Sequence, residues 1–552
     1  MAFDGIVLNS VVAELRSNLI NGKVNKIFQP QKNEIIIEFY SSGKGITLLI
    51  NVQPEIARFH ATKYSKPNPL QAPNFCMLLR KHLIGAKLIQ INTFDLERIA
   101  EFCFETHNEL NDKIIKKLIV QVMSSHSNII LTNSENVIID SIKHVSMPSL
   151  EIMPAREYSL PDTTKHSFVK LNSFEEFQSL VSNSPENPID KVLSDNFIGI
   201  SRPLVQNLMK DGSTLNGLYN KIKYLIENIN NVCLKNVGDD YYIDINNNKY
   251  PLENNYFLDD YYFQKETKMI FSQKRNQLLT LILSSLKKYT KRLDNINAKL
   301  HECESMDKYR IYGELLTSNL YRLNSQENLE CVTVENYYEN QKEITIPLDK
   351  KISLSKNIDN YFKKYNKLKN TLQIVSLQKA KTEIELEYIQ SVLFSIESSS
   401  SVQDLEEILA EIEESEIFKS STKQIKQPTP KKKQEYVSRP LELDIDGYTV
   451  FVGKNNRQND FLTLKMASKN DIWFHAQKVQ GSHVILRTES KQISDSIILK
   501  CAVLAAQNSK AQNSKNVSID YCPVKNVKKP SGFKPGMVIY NDYNTVVVSL
   551  DS

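Results

Sequence analysis

The sequence lacks the segments that place a protein in or across a membrane. None of its 552 residues falls in an apolar run of about 18 residues, the length that a membrane-spanning helix needs. Its first residues, Met-Ala-Phe-Asp-Gly, show neither the basic part nor the apolar part of an export signal. The seven cysteines are scattered without a Cys-x-x-Cys pair, so no disulfide framework and no zinc site is expected. We therefore expect a cytoplasmic protein without a membrane partner.

The sequence also lacks the short motifs that carry much of enzyme chemistry. It has no Walker-type Gly-x-x-x-x-Gly-Lys-Ser/Thr, no Gly-x-Gly-x-x-Gly, no His-Glu-x-x-His and no Gly-x-Ser-x-Gly. Of nine histidines only His475 and His483 fall within one short stretch, and two imidazoles alone do not make a metal site. We therefore expect no catalytic residue, no metal site and no cofactor.

Positive charge is concentrated at the C-terminal end of the chain. The whole chain has a net charge of +5, but residues 419–552 hold 21 Lys and Arg against 11 Asp and Glu. The preceding residues hold 48 Lys and Arg against 53 Asp and Glu. Solubility alone does not require such segregation, which favours a polyanionic partner for the C-terminal part.

The length of the chain predicts several domains, since one domain usually has ~100 to 200 residues. Residues 1–180 combine helical spacing at 7–19 and 75–84 with short apolar runs, and predict a mixed α/β domain. The predicted strands span 34–39, 46–52, 87–94, 99–104, 117–123 and 128–132. Residues 181–260 have helical spacing around Gly199, which lies between two isoleucines. They predict either a helix-hairpin-helix with N–H groups facing a phosphate or an ordinary corner between helices.

Heptad spacing dominates residues 261–418 and predicts a long antiparallel coiled-coil arm. Apolar residues alternate spacings of three and four from Leu279 to Cys303, and again from Ile358 to Ile396 with one break in phase. A strand-like stretch at 331–348 separates the two sets and predicts a small insert at the tip. Helices of about 50 residues reach on the order of 75 Å, which suits a large assembly. A helical bundle packed on the other domains is the alternative.

The composition changes twice near the C-terminal end. Residues 404–416 are acidic and predict a solvated helix end, and residues 419–439 are basic and proline-containing and predict a linker. Residues 440–552 predict an α+β domain with strands at 448–452 and 484–486 and a helix over 493–511. The fold class expected for the whole chain is multidomain α+β.

A stretch rich in hydrogen-bond donors lies between those two strands. Three Asn, two Lys and one Arg occupy residues 453–465, and the only Trp of the chain follows, two residues before a His. In loops, such groups donate to phosphates and base edges, and an indole or imidazole stacks on unpaired bases. The candidate RNA-binding residues are Lys454, Asn455, Asn456, Arg457, Asn459, Trp473, His475, Ser482 and His483, with Lys525, Lys528 and Lys529 from a lysine-rich loop. A solvated Asn-rich hairpin with Trp473 in the core is the equally weighted alternative.

Six motifs follow one another in the chain, at residues 1–5, 25–30, 74–83, 96–99, 361–369 and 453–483. Together they resemble the NFACT proteins, the family of bacterial RqcH and eukaryotic NEMF. The resemblance covers essentially the whole chain and implies an NFACT-N domain, a helix-hairpin-helix, a coiled-coil middle domain and an NFACT-R domain. It also implies a glycosylase-like fold in the N-terminal part. Formamidopyrimidine-type glycosylases use an N-terminal proline, so Ala2 argues against that activity here.

The resemblance implies a ribosome quality-control factor and not an enzyme. Such proteins bind a large ribosomal subunit that still carries peptidyl-tRNA, bring in alanyl-tRNA and support untemplated alanine addition, which marks the nascent chain for degradation. The ribosome itself forms the peptide bond. The implied partners are the large subunit with peptidyl-tRNA, alanyl-tRNA and a small RNA-binding helper of the RqcP type. A fibronectin-binding surface adhesin is the alternative, and the missing export signal argues against it.

The family's Asp-Arg pair, needed for tRNA recruitment, falls on Glu97 and Arg98, so a longer carboxylate replaces aspartate. Arg98 is expected to donate to a phosphate or a base edge, and an ion pair with Glu97 or Glu101 is the alternative. The resemblance also implies tRNA contacts by Gln121, Ser125, Arg80, Lys81 and His82. The family usually has Glu in place of Gln121 and Gly-Arg in place of Ser124-Ser125, so one potential phosphate contact is missing here.

Overall fold

The computed structural model divides into two compact units, Met1–Glu266 and Thr267–Ser552. It describes residues 3–41, 43–147, 150–161, 163–182, 186–238, 240–245, 252–323, 329–418, 438–489 and 493–550. Both units contain helices and strands, so the chain has the multidomain, mixed architecture that the sequence predicts. Among the helices in these ranges, none combines the length and the apolar character needed to cross a membrane.

A nine-stranded antiparallel sheet forms the body of the first unit. Its strands are β1 (Lys23–Gln31), β2 (Glu34–Ser41), β3 (Lys44–Asn51), β4 (Arg58–Thr62), β5 (Lys87–Thr93), β6 (Ile99–His107), β7 (Lys113–Gln121), β8 (Asn128–Asn133) and β9 (Ile138–Ser141), ordered β4-β3-β2-β1-β5-β6-β7-β8-β9. Two separate pairs are β10 (Val145–Met147) with β11 (Leu150–Ile152), and β12 (Val232–Val237) with β13 (Asp240–Ile245). The helices are α1 (Gly5–Leu19), α2 (Asn74–Leu83), α3 (Phe174–Ser182), α4 (Ile189–Asn196), α5 (Arg202–Leu208), α6 (Leu215–Glu227) and α7 (Glu253–Cys303), which continues into the second unit.

The core of the first unit lies between α1 and the sheet. α1 begins at Gly5, where the Asp4 carboxylate accepts a hydrogen bond from the Val7 N–H at 3.1 Å. Its apolar residues recur every three or four positions and are buried, and the helix packs against β2, β4 and β5. Both helices and all six strands predicted between residues 7 and 132 are present near the predicted bounds.

A glycine corner joins α4 to α5. Gly199 has a φ of +68°, and a Cβ built there would lie 2.0 Å from the Leu96 carbonyl oxygen. The Gly199 carbonyl accepts from the Gly5 N–H at 3.0 Å, and the Ile198 N–H donates to the His166 carbonyl at 3.0 Å. These backbone groups bind other segments of the protein, as expected for a corner between helices. A hairpin that faces a phosphate, and the likeness to glycosylases, stay predictions.

The second unit contains the arm and the C-terminal domain. Its helices are the rest of α7, then α8 (Met306–Ser318), α9 (Leu320–Leu323), α10 (Leu354–Ser398), α11 (Val402–Glu414), α12 (Asn456–Phe461) and α13 (Asp495–Gln507). Its strands are β14 (Cys331–Asn336), β15 (Lys342–Pro347), β16 (Leu441–Ile445), β17 (Tyr448–Val452), β18 (Ile472–Ala476), β19 (Val484–Leu486), β20 (Asn516–Pro523), β21 (Val527–Lys528), β22 (Ile539–Tyr540) and β23 (Asn544–Ser549).

Helices α7 and α10 form the predicted antiparallel arm. Arg275 donates to the carbonyl of Ile396 at 3.4 Å, and Arg292 lies 3.6 Å from Glu385, so the two helices run in opposite directions. Heptad positions such as Ile282 are buried in the seam, because the same side of each helix faces its partner every seven residues. The β14-β15 hairpin packs on α8 and α10, which confirms the predicted strand insert.

The C-terminal domain is a six-stranded sheet covered by α13. The strand order is β16-β17-β19-β18-β20-β23, with β21 and β22 as a separate pair. Alanines and apolar residues of α13 pack on the sheet, where the sequence predicts a helix. The predicted linker, residues 419–439, lies outside the described residues except for its last two positions.

The acidic stretch before that linker is not a solvated helix end, so this prediction is wrong. It forms α11, and Asp404, Glu407 and Glu411 on that helix are buried. The Asp404 side chain belongs to a capping box with Ser401 at the start of the helix. The other two carboxylates accept hydrogen bonds from the C-terminal domain, as described below.

Candidate nucleic-acid interfaces

Glu97 and Arg98 lie on a turn between β5 and β6 that is held on two sides. The turn begins at Asp95, which has a φ of +53°, and the Glu97 N–H donates to the Phe94 carbonyl at 2.9 Å. The carbonyl oxygen of Leu96 would lie 2.0 Å from a Cβ at Gly5 and at Gly199 alike. Only glycine allows the backbone this close, so the start of α1 and the α4–α5 corner together position the turn.

A buried carboxylate joins the same two segments. Asp4 caps α1, and its second oxygen accepts a hydrogen bond from the Ser201 hydroxyl at 2.6 Å. Ser201 in turn caps α5 by accepting from the Leu204 N–H at 3.3 Å. Burial raises the pKa of Asp4 to about 6, while the bond from Ser201 and the nearby charge of Arg98 oppose the rise. The Asp4 carboxyl therefore connects two helix starts beside the Glu97–Arg98 turn.

The Arg98 guanidinium is available for a ligand. Its side chain is half-buried, and it takes part in no hydrogen bond or ion pair within the described part of the chain. Glu101, one of its alternative partners, instead lies 3.8 Å from Lys117 and accepts from Asn92 at 2.9 Å. Burial raises the pKa of Glu97, and the charges of Arg98 and Lys165 oppose that rise. The guanidinium can therefore donate to an acceptor of a ligand, while the carboxylate of Glu97 beside it can accept from a donor of the same ligand.

Gln121 and Ser125 differ in their accessibility. Gln121 is the last residue of β7 and is buried, and its amide nitrogen donates to the Tyr158 hydroxyl at 3.0 Å. Ser125 is exposed on the short 3₁₀ turn Ser124–His126. Gln121 pairs with Ile99 across the strands, one residue from Arg98. Gln121 can therefore support the Arg98 strand from inside, while Ser125 is free to meet a ligand.

The three basic residues of α2 differ in their surroundings. Arg80 donates to the Ile27 carbonyl of β1 at 2.8 Å, and its guanidinium lies 5.9 Å from the centre of the Phe28 ring. Lys81 is exposed, and burial lowers the pKa of the half-buried His82. Among the described residues, no hydrogen bond or ion pair connects these three side chains to the Glu97–Arg98 turn. Their predicted role in tRNA binding stays a prediction.

The asparagines of the C-terminal domain bind the acidic helix α11 and its neighbour α10. Asn455 donates to Glu407 at 2.9 Å, and Asn456 donates to Glu411 and to Ser391, both at 3.0 Å. Burial raises the pKa of Glu411 to about 7, and the bonds from Asn456 and Tyr388 oppose the rise. These amides lie at the start of α12 and not in a loop between strands, so this part of the sequence prediction is wrong.

The remaining donors of the same stretch hold the backbone together. Asn459 accepts from the His483 N–H at 3.0 Å and donates to the Gly481 carbonyl at 3.4 Å. A Cβ at Gly453 would lie 2.1 Å from the Asn459 side-chain oxygen, so glycine is required there. Ser482 is buried, and its N–H donates to the Asn508 carbonyl at 2.9 Å. The asparagine amides of this stretch therefore hold segments of the second unit together and are buried, whereas Lys454 is exposed.

Trp473 belongs to the core, the alternative that the sequence left open. Its exposed fraction is 0%, and its ring lies against His475, His483 and Tyr540 with centroids 5.6, 5.3 and 4.7 Å away. Burial lowers the pKa of His475 to about 4 and that of His483 well below its ordinary value, so both imidazoles are neutral at neutral pH. A ring without exposed surface has no face for a base, so stacking by Trp473, which the sequence predicted, does not fit this arrangement.

The cations of the C-terminal domain separate into paired and accessible groups. Arg457 lies 2.5 Å from Glu414, and Lys529 pairs with Asp460. Lys454, Lys525 and Lys528 are exposed, as a phosphate contact requires. Reasoning from the sequence missed two further exposed residues, Lys469 and Tyr543. Lys469 lies within the motif at 453–483 but was not singled out, Tyr543 lies in no recognised motif, and only the folding of the chain brings the two near Lys525. In the described residues, no group of three or more His, Cys, Asp or Glu is arranged to hold a metal ion.

Comparison with known proteins covers both units. Residues 4–434 match the family model for NFACT N-terminal and middle domains, and residues 439–542 match the NFACT protein RNA binding domain. The chain is 34% identical over 578 aligned residues to the Rqc2 homolog RqcH of Bacillus subtilis (strain 168), across 100% of this chain and 98% of that protein. It is 23% identical to the human ribosome quality control complex subunit NEMF, across 38% of this chain and 19% of that protein. A solved structure, the C-terminal part of the fibronectin/fibrinogen-binding protein from Streptococcus suis, is 30% identical, covers 50% of this chain and 95% of its own, and has a TM-score of 0.39.

Proposed function

Because this chain belongs to the NFACT family, with that family's N-terminal, middle and RNA-binding domains, we propose that it is a ribosome quality-control factor. It binds large ribosomal subunits that still carry peptidyl-tRNA. It recruits alanyl-tRNA and directs untemplated alanine addition to the nascent chain, which marks that chain for degradation. The ribosome supplies peptidyl transfer, so the protein acts as an elongation factor and not as an enzyme. A small RNA-binding helper of the RqcP type is an expected partner, and the cytoplasm is the expected location.

The unpaired Arg98 guanidinium is the observation that carries this proposal. It lies on a turn whose backbone is positioned by Gly5 and Gly199, and the guanidinium forms no ion pair with a described residue. An arginine on such a fixed backbone suits a phosphate or a base edge, because its planar N–H groups match these acceptors and the turn need not be ordered on binding. Glu97 beside it supplies an acceptor for a base amine or a ribose hydroxyl. The pair therefore has the chemistry to bind one tRNA, and the antiparallel arm has the length to contact a large particle.

Sequencing the RNA that co-purifies with the protein is the direct test. We expect tRNA enriched for alanine acceptors, together with large-subunit rRNA and little small-subunit rRNA. Arg98→Ala should lose the tRNA and the C-terminal alanine tails while keeping the large subunit, which the arm and the C-terminal domain contact. Arg156→Ala is the matched control, because Arg156 is an exposed arginine of the same unit that pairs with Glu151 at 3.3 Å. Unchanged tRNA and tails in Arg98→Ala would refute the role of this residue.

Fractionation of cells that express the protein tests the surface adhesin at the same time. The proposal expects the protein to sediment with large ribosomal subunits in sucrose gradients. Recovery at the cell surface, with no protein in the ribosomal fractions, would favour the adhesin and contradict the proposal.

A further inference from the structure

Three aromatic rings run from the core of the C-terminal domain to its surface. Buried Trp473 lies 4.7 Å from the ring centre of Tyr540, and Tyr540 lies 5.1 Å from that of Tyr543. Tyr540 is anchored, because its hydroxyl donates to the buried carboxylate of Asp520 at 2.8 Å. Tyr543 is 46% exposed. The outermost ring is thus presented to solvent on a fixed aromatic support.

Three exposed lysines lie on the segments that carry this ring. The Lys525 N–H donates to the Lys469 carbonyl at 3.1 Å, so these two side chains start from adjacent backbones. Lys528 is on β21, which pairs through Ile539 with β22, the strand that precedes Tyr543. None of the three lysines takes part in an ion pair with any described residue. We call these four residues, Lys469, Lys525, Lys528 and Tyr543, the tyrosine–lysine surface.

Two hydrogen bonds connect the lysine segment to the turn that holds Tyr543. The Asn541 N–H donates to the Asn526 carbonyl at 3.3 Å, and the Asn526 amide donates to the Asp542 carbonyl at 3.3 Å. The ring and the lysines are therefore parts of one patch. By contrast, the amides of Asn455 and Asn456 are occupied by buried carboxylates and are not accessible.

We propose that RNA binds the C-terminal domain at the tyrosine–lysine surface, with an unpaired base stacked on Tyr543 and phosphates bound by Lys469, Lys525 and Lys528. An exposed aromatic ring among unpaired cations is the combination that single-stranded nucleic acid recognises. Trp473 and Tyr540 act as positioning residues, because they support Tyr543 without contacting the base. The inference rests on the proposed function, since it names where the RNA-binding domain contacts its ligand.

The other end of the same sheet offers a matched control. Lys478, Lys510 and Lys515 are also exposed there, and the Lys510 N–H bonds to the Gln480 carbonyl at 2.9 Å. None of the exposed large apolar or aromatic side chains of this domain lies next to them in the described sequence. Both sets carry three positive charges, so a comparison between them separates a specific surface from a general effect of charge.

The full-length protein is titrated against a short fluorescein-labelled single-stranded RNA at several salt concentrations. Tyr543→Ala should weaken binding roughly tenfold or more, because a ring that stacks on a base is lost, whereas Tyr543→Phe should bind as the parent does. Exchange of Lys469, Lys525 and Lys528 for Gln should lower the slope of log affinity against log salt by about 2, since each phosphate contact on a single strand adds about 0.7. The same exchange at Lys478, Lys510 and Lys515 should leave that slope nearly unchanged.

Equal affinity of Tyr543→Ala and the parent would refute the stacking of a base on Tyr543. A larger change in the salt slope for the control lysines would show that the RNA binds at the other end of the sheet, which contradicts the proposal. Either result leaves the proposed function standing, because tRNA recruitment is read separately through Arg98. Conversely, a parent protein that binds the RNA probe but carries neither tRNA nor large subunits refutes the proposed function and not this surface.

Discussion

Replacing Glu411 by Gln should remove a pH dependence from the stability of the second unit. Glu411 lies in α11 and is buried, and its Oε1 accepts hydrogen bonds from Asn456 at 3.0 Å and from Tyr388 at 2.9 Å. Glutamine keeps an oxygen acceptor for both donors and cannot ionise. The substitution therefore removes the ionisable group and keeps the contacts with Asn456 and Tyr388.

The size and the sign of the effect follow from the pKa of Glu411. Burial raises it from the ordinary 4.5 to about 7, so between these pH values the folded protein holds a proton that the unfolded chain releases. The free energy of unfolding must then fall as the pH rises through this window. A pKa difference of this size corresponds to about 3 kcal/mol. The full stabilisation by the protonated carboxyl is present below about pH 4.5 and is lost by about pH 7.

Tryptophan fluorescence is the natural assay, because Trp473 is the only tryptophan and is fully buried in the domain that Glu411 contacts. Urea unfolding of the parent and of Glu411→Gln is measured at about pH 5 and about pH 8. At each pH the free energy of unfolding of the parent is subtracted from that of the variant, so the contributions of the other titrating groups cancel. Relative to the parent, the variant should be about 2 to 3 kcal/mol more stable at the higher pH than at the lower, slightly less than the full effect because pH 5 lies above 4.5. Glu413→Gln, an exposed change on the same helix, should show no such difference. If the free energy of unfolding changed equally with pH in both variants, the proton held by buried Glu411 in the folded protein would be refuted.

Two further predictions concern backbone positions and the arm. Gly199→Ala should lower the free energy of unfolding of the first unit by about 3 kcal/mol or more, since its Cβ would meet the Leu96 carbonyl, and should weaken tRNA co-purification. Gly212→Ala, with a similar φ of +71° and open space around it, should cost only about 1 kcal/mol, with both variants measured by thermal unfolding. Ile282→Ala in the arm seam should cost about 2–5 kcal/mol, while its exposed neighbour Leu283→Ala should cost less than about 0.5, both by urea unfolding. Equal effects within either pair would contradict the contacts described here.

The elements of the fold were largely predictable, because local patterns determine them. Alternating and helical spacing in residues 7–132 is set by which side of each element is buried, so two helices and six strands of the first unit were predictable, whereas β1 and β4 were not predicted. The heptad spacing around Ile282 likewise predicts the antiparallel arm, since a seven-residue repeat keeps one side of a helix facing its partner. The strand insert at 331–348 was predictable from its own local, strand-like pattern.

The candidate site was predictable only where its residues are neighbours in sequence. The Glu97–Arg98 pair is a local motif, and its likeness to the family points to tRNA. That Gly5 and Gly199 hold this turn from both sides was not predictable, because it depends on contacts between segments about 100 to 200 residues apart. The unpaired state of Arg98 was open for the same reason.

The sequence by itself indicated the family, most of the long helices and strands, and the positive charge of the C-terminal end. Only the tertiary structure decided which polar side chains reach solvent. Asn455 and Asn456 have the composition of an RNA-reading loop, yet both are buried against the acidic helix α11. Their amides donate to the carboxylates of Glu407 and Glu411, which could not be buried without such donors. Trp473 is in the core, and Tyr543, which no pattern marked, carries the exposed ring. Composition specifies which groups can bind RNA, and packing determines which of them remain free to do so.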